Sequence, residues 1–135
     1  MNMKVEKSEE LVIGYRPFSV DGQGYLYGGL GHRWDGRYLD AECPFSHRAG
    51  TAHVHLSKGE CSCGIYMQNP LVYTGREVMA ECVGWGICIV ADHGYRVEHC
   101  RIDRIFVPEG TPENVCAQLG LRYGVPVTSA KPALV

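Results

Sequence analysis

No stretch of this sequence approaches the ~20 consecutive apolar residues that cross a bilayer as a helix, which excludes a conventional transmembrane helix. The opening MNMKVEKSEELVIGYR has no apolar core of a secretory signal, so the expected location is cytoplasmic, with no membrane partner. Positive charge is not in excess either. Thirteen Lys and Arg against fifteen Asp and Glu leave a net charge of −2, and a chain that holds nucleic acid by releasing counterions needs more. Only a local patch, Arg96, Arg101 and Arg104, keeps that function open. Phosphate-loop, HExxH and nucleophile-elbow patterns are all missing, so no familiar catalytic signature is present. A full disulfide framework is excluded by the odd number of cysteines, seven, and by the reducing compartment.

What is present suits one compact domain of 135 residues, with 45% apolar and 21% charged residues. Residues 1–10 are polar and charged and are expected to be a flexible N-terminus, with a domain over 11–127 and a mobile tail over 128–135. LVIGYRPFSV (11–20) reads as a strand, DGQG (21–24) as a turn and YLYGGL (25–30) as the return strand of a hairpin. Asp35-Gly36 marks another turn. Val78 to Val90 is apolar at both parities, as for a strand covered on both faces, and Tyr95 to Val107 reads as its antiparallel partner after a tight connection. The polar and apolar positions of that second strand do not alternate cleanly. Gly84 and Gly86 beside Trp85 point to a bulge or a close backbone approach. From Thr111 a helix is expected, with Thr111 as cap, Pro112 in its first turn, Glu113 at the positive dipole end and Gly124 as its stop. Its apolar face takes Val115, Leu119 and either Arg122 or Tyr123.

Between Ala41 and Gly64 periodicity disappears and chemistry-bearing residues accumulate. Cys61 and Cys63 flank one small residue, with Gly64 allowing a sharp turn, and Cys43 and His47 stand at the ends of CPFSH, where Pro44 can start a turn. Thiolate and imidazole are the donors a tetrahedral zinc needs, so Cys43, His47, Cys61 and Cys63 form a candidate closed zinc site. His53 and His55 compete with His47 for the histidine role. The energetic reason is that a polar loop of this length buries too little to offset its ordering entropy, whereas zinc binding contributes roughly 10–16 kcal/mol in small zinc peptides. An iron–sulfur cluster more often wants four thiolates.

Cys82, Cys88, Cys100 and Cys116 fall on the long strands and the helix and read as buried free thiols. His93 and His99, with Asp92, Glu98 and Asp103 nearby, offer an acid–base pair, but almost any hairpin offers as much. A closed zinc site leaves no open coordination position, so the protein does not read as an enzyme. A small zinc or thiol enzyme using Cys61 and Cys63 stays an alternative. Trp34, Tyr38, Trp85 and Tyr95 suit a core, yet the neighbouring arginines tilt some of them towards an interface, because Trp, Tyr and Arg dominate binding hot spots. Trp85, Tyr95 and Arg96 are the candidate partner-binding residues.

Cys43, His47, CSCGIY (61–66), GWG (84–86), HGYRVEH (93–99) and LRYGVPV (121–127) together resemble a group of small uncharacterised proteins of actinobacteria and their phages. TAHVHLSKGE (51–60) is longer here than the corresponding segment of that group. The resemblance implies an accessory or phage-encoded protein acting on a host component. Together these readings predict an α+β domain, mainly antiparallel sheet or a partly open barrel, with a zinc-pinned loop and a C-terminal helix. Its expected function is non-catalytic binding of a protein, with nucleic-acid binding as the alternative.

Overall fold

Two long strands, β6 (Val78–Ala91) and β7 (Gly94–Pro108), form the hairpin around which the other elements gather. The computed structural model describes residues 4–28, 31–41, 64–69 and 75–130. Before the hairpin come β1 (Lys4–Val20), β2 (Leu26–Tyr27), β3 (Arg33–Trp34), β4 (Tyr38–Asp40) and β5 (Ile65–Gln68). After it come α1 (Glu113–Tyr123) and β8 (Val127–Ala130).

β1 runs antiparallel along β6 from Lys4↔Val90 to Phe18↔Val78, with a register shift between Ser8 and Val12. β5 then joins β7 through Ile65↔Val97 and β1 through Tyr15↔Gln68. Strands β1, β6, β7 and β5 therefore close into a ring of four, less regular than a barrel. The closure is tight at Gly14, where an added side chain would collide with Met67 of β5. The free edge of β7 carries β5, β4 and β8 in succession; β8 is parallel to it and the other two are antiparallel. The predicted class, α+β with mainly antiparallel sheet and a C-terminal helix, is what the chain adopts.

The irregular alternation in β7 has a structural cause. Its fully covered positions run Val97, then Cys100 and Ile102, then Ile105 and Val107, so the inward parity switches twice. Each switch coincides with a register shift against β6, one between Trp85 and Cys88 and one between Glu81 and Cys82. An extra residue on one strand of a pair bends the ladder and turns the residues beyond it to the other face. Gly86, at φ +83°, supplies the left-handed backbone of the first shift, as the glycines beside Trp85 led one to expect.

The core joins the inner face of the ring to the helix through Phe18, Leu26, Trp34, Met67, Leu119 and Tyr123. Leu119 and Tyr123 are four residues apart and share the buried helix face, so Tyr123 rather than Arg122 takes the inward position. Arg122 lies instead against the ring of Tyr25, its guanidinium carbon 3.5 Å from the centroid. Gly124 ends the helix in the left-handed conformation, with its N–H bonded to the Gly120 carbonyl.

Four expectations need correction. Lys4 to Glu10 is not a loose terminus in its backbone but part of β1, because β6 would otherwise present a long unpaired edge. Val127 to Ala130 belongs to β8, so residues 128–130 of the expected tail pair with β7 in the sheet. The return strand of the first hairpin is only Leu26–Tyr27, paired with Val20 and Ser19. Pro112, not Thr111, holds the N-cap position, and the Thr111 hydroxyl donates to the Pro108 carbonyl at 2.7 Å. A preceding turn can recruit a threonine hydroxyl as readily as a helix can.

Candidate interaction face

Residues directly opposite one another on antiparallel strands point to the same side of a sheet. Following the register across β1, β6, β7 and β4 therefore reads out one continuous outer face. One row is Ile13–Val83–Arg101–Tyr38, and the next is Trp85–His99–Asp40. On the other side of the first row lies Tyr15–Glu81–Arg104, and beyond it Pro17–Met79–Phe106. Tyr38 is 63% exposed and Ile13 51%, with Leu11 beyond Ile13 on β1 at 56%. Ile13, Leu11 and Tyr38 thus meet solvent on this face, whereas Val83 and Met79 are covered, and arginines are set between them.

Arg101 and Arg37 at this face share one carboxylate, that of Asp103. Asp103, the residue inserted at the second register shift, accepts at Oδ1 from Arg101 Nε and from Arg37 Nη2, both at 2.9 Å. Arg37 also donates through Nε to the Ile102 carbonyl at 2.7 Å and lies 5.6 Å from the Tyr38 ring centroid. Burial alone would raise the Asp103 carboxyl, but the hydrogen bonds from Arg101 and Arg37 outweigh it and hold the group below its usual range. Arg101 is pushed up by the same bond. Glu81 stands opposite Arg104 and bonds the Tyr15 hydroxyl, whose pKa is raised by burial first and by Glu81 next.

At the far end of the face the Trp85 and His99 rings stack, with centroids 5.7 Å apart and planes 28° from parallel. His99 Nδ1 lies 2.7 Å from Asp40 Oδ1, and Nε2 lies 3.5 Å from Glu98 Oε1. Glu98 Oε1 also accepts from the Ile87 N–H at 3.2 Å, which ties the cluster to the bulge at Gly86. With a carboxylate at each ring nitrogen, the imidazole is oriented firmly against Trp85. Gly86 is required sterically as well, since a methyl there would sit 2.9 Å from His99 Cδ2 and close against Glu98.

The sequence-derived candidates divide here. Trp85 stands on the outer face. Tyr95 does not, because its ring packs against the core beside Val90, its cross-strand partner. Arg96 is opposite Tyr66 of β5 and Ile89 of β6, on a different part of the ring from Trp85. Tyr38, Ile13 and Arg101 were missed as a group, since only the register shows that four separate strands align them. Cys82, Cys88 and Cys100 are buried, as read from their positions, whereas Cys116 is only half-buried.

Cys43, His47, Cys61 and Cys63, with His53 and His55, lie outside the described residues. The residues that flank this segment are described. The Ala41 N–H donates to the Glu98 carbonyl at 2.8 Å, and Ile65, just after Gly64, pairs with Val97. Both flanks thus reach adjacent positions on the edge of β7, next to His99. Among the described residues no group of three or more His, Cys, Asp or Glu side chains could hold a metal ion. No protein-family model, curated protein or solved structure matches this chain.

Proposed function

We propose that this chain is a non-catalytic module that binds another protein through the outer face of β1, β6, β7 and β4. The observation that carries this reading is the register-aligned row Ile13–Val83–Arg101–Tyr38 beside Trp85, in which Ile13 and Tyr38 are exposed at the two ends, Val83 is covered and Arg101 is already paired with Asp103. Exposed aromatic and aliphatic groups flanked by arginine are what protein hot spots use. A nucleic-acid surface would instead keep its arginines available for phosphates, and here Arg101 and Arg37 share Asp103 while Glu81 opposes Arg104. The partner suited to this face offers an apolar anchor ringed by polar groups of both signs.

Zinc held by Cys43, His47, Cys61 and Cys63 is part of the proposal, as a pin for the segment between Ala41 and Gly64. Support comes from its flanks, which reach neighbouring positions on β7, so that a metal would close a short excursion from one point. The resemblance to actinobacterial and phage proteins extends the proposal to an accessory or phage-encoded protein acting on a host protein in the cytoplasm.

The test is capture of a partner from host extract on the immobilised chain, compared with a Tyr38→Ala/Trp85→Ala variant and a Leu121→Ala control on the exposed side of α1. The face variant should lose the partner by about 30-fold or more in affinity while the control retains it. Equal capture by all three, or retention only of nucleic acid with steep salt sensitivity, refutes the reading.

A further inference from the structure

Inside the ring, three sulfur atoms from three strands gather. Cys82 of β6 and Cys100 of β7 both point into the core, and each stands opposite a glycine, Gly14 of β1 for Cys82 and Gly84 of β6 for Cys100. Those glycines leave room for Met67 of β5. A methyl group on Gly84 would lie 3.0 Å from Met67 Cε, and one on Gly14 3.2 Å from the same atom. The end of Met67 therefore lies between the two cysteine positions, with its Sδ 4.0 Å from Cys100 Sγ. Cys82 and Cys100 are hydrogen-bonded to each other, and that bond first, then burial, pushes the Cys82 thiol well up. All three residues are 0% exposed.

A cation short of counter-charge stands beside them. Arg16 is two residues from Gly14 on the same side of β1, and burial pulls its pKa down. Its Nη1 donates to the Tyr66 carbonyl at 2.9 Å, and its Nε is buried without an acceptor. No described carboxylate pairs with it, and the groups near enough to offset its burial are Cys82 and Cys100. A guanidinium does not give up its proton, so a buried one with no negative partner is costly. As neutral thiols the two cysteines offer it no charge. As two thiolates they would offer one charge too many, unless a monovalent cation joined them.

We propose that Cys82, Cys100 and Met67 bind one Cu(I) ion inside the ring, with Arg16 as its counter-charge. Thiolate and thioether together are the soft donors that select Cu(I), whereas zinc takes thiolate, imidazole or carboxylate. Each thiol releases its proton as it binds, so Cu(I) with two thiolates carries one net negative charge, which Arg16 balances. A divalent zinc would leave the sulfur set neutral and Arg16 still unbalanced. Three sulfurs around one ion, each about 2.3 Å away as in metal–thiolate bonds, stand about 4 Å apart. That is the separation already present between Cys100 and Met67. The ion takes the place of the thiol protons and does not need a separate cavity. Because these sulfurs are closed off from solvent, the ion enters as the chain folds, before β5 closes the ring. The cluster shares no residue with the outer face or with the proposed zinc site.

The experiment refolds the full chain under anaerobic, reducing conditions with one equivalent each of zinc and Cu(I), then adds the Cu(I) chelator bicinchoninate. About one copper per chain should stay bound, with three sulfur neighbours in X-ray absorption. Cys82→Ala and Cys100→Ala should each weaken its retention by more than about 100-fold, and Met67→Leu and Arg16→Met by about tenfold. Cys61→Ser/Cys63→Ser, which removes two of the proposed zinc ligands, should keep the same sulfur-bound copper. That variant should take up Cu(I) far more slowly when already folded than when refolded with it. The proposal is overturned if no copper survives the chelator, or if its loss follows Cys61 and Cys63 instead of Cys82 and Cys100. Nitrogen or oxygen neighbours around the copper, or zinc competing equally for the cluster, also overturn it. Should the cysteine variants fail to fold, Met67→Leu, which keeps the core volume, and the absorption spectrum of the native chain decide.

Discussion

Replacing Tyr123 with phenylalanine removes one oxygen from the place where the helix meets the small β2–β3 pair. That hydroxyl accepts from the Leu26 N–H at 2.8 Å and donates to the Trp34 carbonyl at 2.6 Å. Leu26 and Trp34 are 0% and 1% exposed, so water cannot easily replace the lost partner. An orphaned buried N–H costs about 1–3 kcal/mol, and a carbonyl with a second lone pair costs towards the lower end, giving about 2–4 kcal/mol together. Against an ordinary total of about 5–15 kcal/mol this is a large share. Urea denaturation should show the midpoint falling by about 1–2 M with an unchanged slope, and the Leu26 amide should exchange faster with solvent. Tyr66→Phe is the control, because the Tyr66 hydroxyl is bonded to the His93 carbonyl at an exposed site, at 3.3 Å. Its loss should stay within about 0.5 kcal/mol. Burial also raises the pKa of Tyr123, so the folded state holds its proton longer than the unfolded chain. That contribution is complete below about pH 10 and is lost as the pH rises through the folded value, and it should be missing from the variant. A Tyr123→Phe protein as stable as Tyr66→Phe, with Leu26 still protected, would falsify the argument.

The same geometry sets other outcomes. Asp103→Asn should destabilise by about 1–3 kcal/mol at neutral pH by releasing Arg37 and Arg101. The Asp103 carboxyl is held low, so its contribution is complete above about pH 4 and fades as the pH falls through the folded value; wild type and variant should converge there in acid denaturation. Gly86→Ala forces a side chain into left-handed backbone against Glu98 and His99, costing about 2 kcal/mol or more by thermal unfolding, with altered Trp85 fluorescence. Elemental analysis of the purified chain should find about one zinc per molecule, lost in Cys61→Ser/Cys63→Ser, and a chelator should lower the thermal midpoint. Metal-free protein that ignores the chelator would refute the zinc proposal. Tyr38→Ala should change stability by no more than about 0.5 kcal/mol, because its side chain is exposed, while weakening partner capture.

Much of the β6–β7 hairpin was legible in the sequence because both strands are long and their turn is local. The bulge at Gly86 and the helix end at Gly124 were equally legible, since glycine at a left-handed position is required by the backbone itself. The interaction face was not. Trp85 could be picked out as an aromatic near arginines, but Tyr95 and Arg96 looked equivalent to it along the chain. Only the register shifts decide that Tyr95 turns into the core while His99 and Trp85 stay outside.

Local pattern alone therefore determined the elements that close within a few residues: the hairpin, its bulge, the helix stop and the burial of the strand cysteines. Tertiary structure decided what depends on contacts between distant residues, such as Arg16 with Tyr66, fifty positions away, and Tyr123 with Leu26, ninety-seven away. The physical reason is that a strand's alternation assigns its two faces only relative to each other. Which face is covered, and what the uncovered one presents, is settled by pairing register, and a single inserted residue reverses it.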